Sequence, residues 1–303
     1  MRVLLPAYLE LYRRGELAAR VEWALEVYEE CSLCPHRCGI DRSTKAGVCR
    51  APEQAVVSSF GPHYGEERVL VGSRGSGTIF FAHCTLACVY CQNSEISLGG
   101  RGRAVSGSEL GEIMLELQKG HGCPNVNLVS PTHFVPSILA GLLYAVERGF
   151  RLPLVYNCGG YENPATLELL DGIIDIYMPD FKYAEPERAE KYSGAEDYPQ
   201  KAKEALLEMD RQVGGLKTDG RGIAVRGLLI RHLMLPGGLA DTKKVLRFIN
   251  DNLSADCLVN LMDQYYPHFR AFQFPELGRR LTRDEYNEAL EFASSLGLRL
   301  VQS

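Results

Sequence analysis

The 303-residue sequence predicts an α/β fold: a partial (β/α)6 TIM-like barrel with a small N-terminal metal-binding extension. Three observations carry that prediction. Short apolar runs alternate with helical ones from about residue 76, those runs are hydrophobic almost throughout, and an aperiodic, cysteine-rich stretch precedes them. Near-continuous apolar strands are those buried on both faces, as in parallel sheets with helices outside. Six βα units fall short of the eight that close such a barrel, so an open one is expected.

The elements follow in chain order. Residues 7–30 read as helix, with Leu9, Leu11, Tyr12, Leu17, Val21, Leu25 and Val27 as the apolar positions and a break near Gly15. Residues 31–75 lack periodicity and the apolar content for a core of their own, which a bound metal would make good. The expected division is therefore 1–75, helical and cysteine-rich, and 76–303, the barrel. Candidate strands lie at 78–83, 125–130, 153–158, 173–178, 228–235 and 257–262. Helix starts between them are marked by Ser106 with Glu109, by Asn163 before Pro164, by Pro136, and by Thr282 with Glu285. The interval 183–226 holds helix followed by a turn-rich excursion.

Composition narrows the function. Hydrophobic residues make up 46% and charged residues 23%, ordinary for a globular chain, and a net charge of −5 gives no reason to expect nucleic acid. The most apolar tract is interrupted by Pro131, His133 and Pro136, so no membrane span is expected. The N-terminus lacks the apolar region and cleavage site of a signal peptide, which makes the cytoplasm the expected location. In that reducing compartment ten cysteines read as ligands and core residues rather than disulfides.

Seven of the ten fall in two clusters. Cys84, Cys88 and Cys91 form a C-x3-C-x2-C array on the loop after the first barrel strand. Iron–sulfur cubanes usually take four cysteines, so three leave one iron open to another ligand. Structural cysteines, or a zinc site with a distant fourth ligand, are the plainer alternatives. Cys31, Cys34, Cys38 and Cys49 form a second array, enough to close a zinc site or to ligate a second cluster. Cys158 sits at a strand end, whereas Cys123 and Cys257 carry no functional signal.

The stretch CTLACVYCQN, with Tyr90 before the last cysteine and Gln92-Asn93 after it, resembles the cluster motif of the radical S-adenosylmethionine (SAM) superfamily. Within it the chain is most similar to pyruvate formate-lyase activating enzyme-like proteins with an N-terminal cysteine-rich segment. The resemblance spans roughly residues 30–270. It implies a [4Fe–4S] cluster on Cys84, Cys88 and Cys91 as the catalytic centre, with SAM chelating the open iron. Reductive cleavage of SAM would then give a 5′-deoxyadenosyl radical that abstracts a hydrogen atom.

The resemblance also implies SAM contacts at the C-terminal ends of the strands. Asp180 and Lys182, in PDFKY, resemble the Asp-x-Lys of activating enzymes, and Asn157 resembles that branch's Asn-Gly turn. Ser130, Thr132 and His133 stand where the superfamily has a Gly-Gly-Glu-like stretch, which this chain lacks. Arg231 and His232 alternate along a strand, so only one faces inward. Histidines at strand ends are more often satisfied structural groups, and Asp180 with Lys182 also reads as a buried ion pair. The implied partners are SAM, an electron donor such as flavodoxin or ferredoxin, and a glycyl-radical enzyme whose glycine would lose the hydrogen. Modification of a small molecule or peptide is the alternative, and an iron–sulfur redox sensor is a third reading.

Overall fold

A computed structural model describes residues 5–301; the expected segments also include 1–4 and 302–303, which lie outside the described residues. The chain opens with α1 (Tyr8–Arg13) and α2 (Glu16–Glu26), separated by Gly15 in the left-handed region at φ 74°. An irregular stretch leads to β1 (Ala55–His63), α3 (Arg68–Val71) and β2 (Ser76–Phe81). Then come α4 (Ser94–Ser97), β3 (Arg103–Val105), α5 (Gly107–Lys119), β4 (Val126–Val129) and α6 (Val135–Glu147). The alternation continues through β5 (Leu154–Cys158), α7 (Pro164–Leu169), β6 (Ile176–Pro179), α8 (Pro186–Ser193) and α9 (Tyr198–Val213). It ends with β7 (Lys217–Thr218), β8 (Ala224–Leu233), α10 (Thr242–Asn252), β9 (Leu258–Met262), α11 (Arg283–Ser295) and β10 (Arg299–Leu300).

The sheet order is β10-β9-β8-β6-β5-β4-β2-β1-β3, with β7 paired to β8 off this path. From β2 to β10 the neighbours are parallel, and β1 and β3 join antiparallel at one edge. The six expected strands form the continuous parallel wall, and the two edges, β3 and β10, leave the barrel open. Helix starts follow the sequence signals. Ser106 with Glu109 and Thr282 with Glu285 close capping boxes, and Asn163 accepts from the Ala165 N–H ahead of α7. Among the described residues no helix is long and apolar enough to cross a membrane.

The aperiodic segment differs most from expectation. Residues 55–63 form a strand that pairs with β2, so the sheet runs straight across residue 75. The Ser-Ser-Phe-Gly-Pro stretch hides that strand from any apolar pattern, and Pro62, which lacks an N–H, is tolerated because β1 lies near the edge. Next, α3 places Leu70 in a buried cluster with Val155, Ile176, Met178, Leu229 and Leu258. These strand residues share their face with Asn157, Asp180, Arg231 and Asn260, two or more positions further on. The cluster is therefore the apolar floor beneath those polar strand ends.

Candidate active site

The sulfur-bearing loop begins where β2 ends. Ala82 N–H donates to Val56 O, and His83, left-handed at φ 69°, donates its N–H to Ile96 O. The loop then lies against the end of α8, whose last carbonyls have no partner within the helix. Val89 N–H donates to Tyr192 O (2.8 Å) and Ala87 N–H to Ser193 O (3.1 Å). Gly194, at φ 66°, stops the helix there.

Cys84, Cys88 and Cys91 line one wall of a cavity of about 790 Å³ at the C-terminal ends of the strands. Each sulfur has a hydrogen-bonding neighbour. Leu86 N–H lies 3.5 Å from the Cys84 sulfur, Ser193 Oγ donates to Cys88 (3.0 Å), and Ser97 Oγ is 3.1 Å from Cys91. Burial and the neighbouring sulfurs push the Cys84 thiol up to about 12. Cys88 is raised by burial, against the opposing pull of the Lys182 ammonium. Such thiols stay protonated until a metal replaces the proton. Among the described residues no three His, Cys, Asp or Glu side chains are drawn in around a single ion.

The cavity lining also carries polar groups. Lys182 Nζ is 2.5 Å from Asp180 Oδ2, and the Lys182 ammonium is held well above its ordinary pKa because Asp180 and Cys88 outweigh its burial. Gly160 permits this arrangement: it is left-handed at φ 77°, and a Cβ there would lie 2.1 Å from Asp180 O. Tyr198 OH, within reach of both Gly159 O (3.0 Å) and Asp180 O (2.9 Å), accepts from the Lys182 N–H. Ser130, left-handed at φ 56°, and Asn157 also line the cavity, and Ser130 N–H donates to Asn157 O.

Arg231 faces the cavity and His232 does not. His232 is fully buried on the other side of β8, bonded through its ring nitrogens to Phe181 O and Thr242 Oγ1. Burial drives its pKa down to about 4. Thr132 and His133 also depart from the expected SAM contacts. Thr132 donates to Glu162 Oε1 (2.8 Å), and His133 Nε2 donates to Ala82 O (2.8 Å), with burial lowering its pKa to about 3. Both fall in the helical turn after Ser130, which swings them behind the wall. Tyr90 lines the cavity with its hydroxyl bonded to Tyr183 OH, and Cys158 lines it too.

Glu66, Glu67, Asn260, His63 and Gln264 line the cavity without having been expected there. Glu67, 2% exposed in its side chain, takes two hydrogen bonds from Arg231 (2.8 and 2.6 Å) and one from Asn260 (2.7 Å). Burial alone would raise Glu67, but Arg231 and Asn260 hold its carboxyl below the usual range. Glu66 pairs with the same guanidinium. Arg231 is thus engaged by two carboxylates rather than free for a ligand's carboxylate. The only sequence signal was a Glu-Glu-Arg run, a pattern that more often marks a solvated surface.

The N-terminal cysteines are not part of this lining among the described residues. Cys31, Cys34 and Cys49 are buried and Cys38 is half-buried, all unbridged. Burial and the neighbouring sulfurs raise the Cys34 thiol, and Val48 N–H lies 3.5 Å from the Cys38 sulfur.

No protein-family model matches the chain. Uncharacterized protein MJ0674 of Methanocaldococcus jannaschii is 34% identical over 304 residues, which cover 97% of this chain and 82% of that protein. The chain belongs to the MJ0674 family. Among solved structures, Streptococcus suis SuiB bound to precursor peptide SuiA superposes on this family member with a TM-score of 0.49 at 11% identity. The match covers 72% of this chain and 46% of that one, so the chain spans less than half of SuiB. A likeness at that level says nothing about what either protein acts on.

Proposed function

We propose that the chain is a radical SAM enzyme. One observation supports this above the rest: three cysteines with hydrogen-bonded sulfurs share a 790 Å³ cavity with the Asp180–Lys182 pair. Cys84, Cys88 and Cys91 would hold a [4Fe–4S] cluster, and Ser130, Asn157, Asp180 and Lys182 would hold SAM. When bound, these groups supply one-electron cleavage of SAM to methionine and a 5′-deoxyadenosyl radical, the electron coming from a flavodoxin- or ferredoxin-like donor. Lys182, a point charge on a flexible stem, is suited to the SAM carboxylate, and Asp180 can accept from ribose hydroxyls. Each would exchange its present partner for a ligand atom. Gly160 keeps the Asp180 backbone in place, and Tyr198 fixes the turn from Asp180 to Lys182. The Ser193 hydroxyl, which donates to the Cys88 sulfur, opposes the upward push of burial on that thiol. Cys31, Cys34, Cys38 and Cys49 would hold a separate centre, zinc or a second cluster.

The substrate reading turns on another part of the lining. Glu66, Glu67, Arg231 and Asn260 form a hydrogen-bonded, charged surface in the same cavity. Such a surface fits a polar small molecule or peptide held in one pose, and it favours that target over a partner enzyme's glycine. The deciding experiment is anaerobic reconstitution with iron and sulfide, reduction, addition of SAM, and quantification of 5′-deoxyadenosine. Wild type is expected to form it and Cys88→Ala to form none. A reducible cluster that yields no 5′-deoxyadenosine would overturn the enzyme reading in favour of a sensor.

A further inference from the structure

The irregular segment 31–50 grips the sulfur-bearing loop on both sides of Cys84. On one side His36 Nε2 donates to Thr85 O at 2.8 Å, with its ring set edge-on against Tyr161 (5.2 Å between centroids). On the other side the Arg42 guanidinium donates to His133 O, and His133 Nε2 donates to Ala82 O at 2.8 Å. Arg42 is 3% exposed and stands over the Tyr28 ring at 4.7 Å. Among the described residues it has no carboxylate partner, only backbone carbonyls and aromatic faces.

Between the two grips lies His83, a non-glycine residue in the left-handed region, a conformation that needs support from its surroundings. The segment that supplies the support has no regular structure of its own. It is tied to the barrel at Asn163, which donates to Ser32 O (2.6 Å), and at Thr166, which donates to Leu33 O (2.9 Å). Its turns close at buried cysteines: Cys31 exchanges backbone bonds with Gly39 and Ile40, and Arg37 N–H donates to Cys34 O (3.0 Å). His36 lies two residues from Cys34 and two from Cys38.

We infer that His36 is a positioning residue for Cys84, through which the N-terminal cysteine site sets the geometry of the catalytic cluster. This rests on the radical SAM reading above. The two cysteine groups then form one coupled unit, and disturbing the first alters the second with no change in any ligand of the second.

The test compares wild type with three variants, each reconstituted anaerobically and reduced. The part of the electron paramagnetic resonance spectrum that changes on adding SAM reports the Cys84–Cys88–Cys91 cluster, and its decay in a chelator measures how firmly the cluster is held. His36→Ala and His36→Phe both remove the donor, and the phenylalanine keeps the contact with Tyr161. Both are expected to lose the SAM-responsive signal about 10-fold faster than wild type, the lower end of what outer-shell partners of metal ligands contribute. His36→Gln retains an N–H donor and is expected to return toward the wild-type rate. Equal decay rates in wild type and His36→Phe would overturn the inference, as would a glutamine variant no better than phenylalanine. A wild type with no SAM-responsive signal at all would instead remove the radical SAM reading, and this inference with it.

Discussion

Glu162 is fully buried, and among the described residues no ion pair reaches it. Its oxygens accept from Thr132 Oγ1 (2.8 Å) and Tyr156 OH (2.9 Å). Burial outweighs those bonds and raises its pKa from 4.5 to about 7. Asp175, taking N–H bonds from Ala7 and Leu154, is likewise raised by burial from 3.8 to about 7. The sign follows from linkage: an acid with a raised folded-state pKa favours the fold when protonated. Its contribution is complete below the unfolded value and is lost as pH rises toward 7. For Glu162 the loss is at most about 3 kcal/mol. Metal-free protein is therefore expected to lose urea resistance between pH 5 and 7, and Glu162→Gln to show a shallower fall, with Asp175 supplying the remainder. An unchanged slope in the glutamine variant would mean that Glu162 ionises as freely in the folded chain as in the unfolded one.

Among the elements, α8 connects sequence most directly to chemistry. Its terminal carbonyls hold the cysteine loop, and its stop depends on Gly194 at φ 66° with open space around the missing side chain. Gly194→Ala is expected to cost about 1 kcal/mol. That should appear as a lower urea midpoint at unchanged slope. An unmoved midpoint would show that the helix end adapts without strain. This stop could not be assigned from sequence, where 183–226 read only as helix followed by an excursion. What was legible had a local cause. The parallel strands declare themselves by unbroken apolar runs, three helix starts by residues that accept their own backbone N–H groups, and the sulfur loop by spacing alone. What was illegible depended on distant partners. β1 is masked by serine, glycine and proline because one edge supplies part of its pairing. Glu66 and Glu67 look like surface residues until Arg231, more than 160 positions later, meets them inside the barrel. His133 and His232 sit at strand ends as expected, but a backbone carbonyl takes one nitrogen of each ring, a competition that a one-dimensional pattern does not display.

For the whole molecule, an open barrel must cover an incomplete wall, and the N-terminal quarter of the chain does much of that. α1 and α2 add Tyr8, Leu9, Leu17 and Val21 to the main core beside α6 residues such as Leu139 and Leu142. β1 supplies one antiparallel neighbour for β2, α3 contributes Leu70 to the barrel floor, and Glu67 neutralises Arg231 above it. The extension expected from the cysteine pattern is therefore built into the barrel. Removing residues 1–75 would expose the β2 edge, since β1 would be gone and, among the described residues, β3 pairs only with β1. It would also leave Arg231 without its two carboxylates. Breaking a buried pair by deleting one partner costs about 3–5 kcal/mol, and each large apolar side chain that loses its cover costs roughly 1.5–3 kcal/mol more. A few such losses exceed the usual 5–15 kcal/mol stability of a folded protein. Residues 76–303 expressed alone are thus expected to aggregate or to lack a cooperative urea transition. A soluble 76–303 fragment with a single sharp transition would show that the barrel stands by itself and that residues 1–75 are an independent appendage.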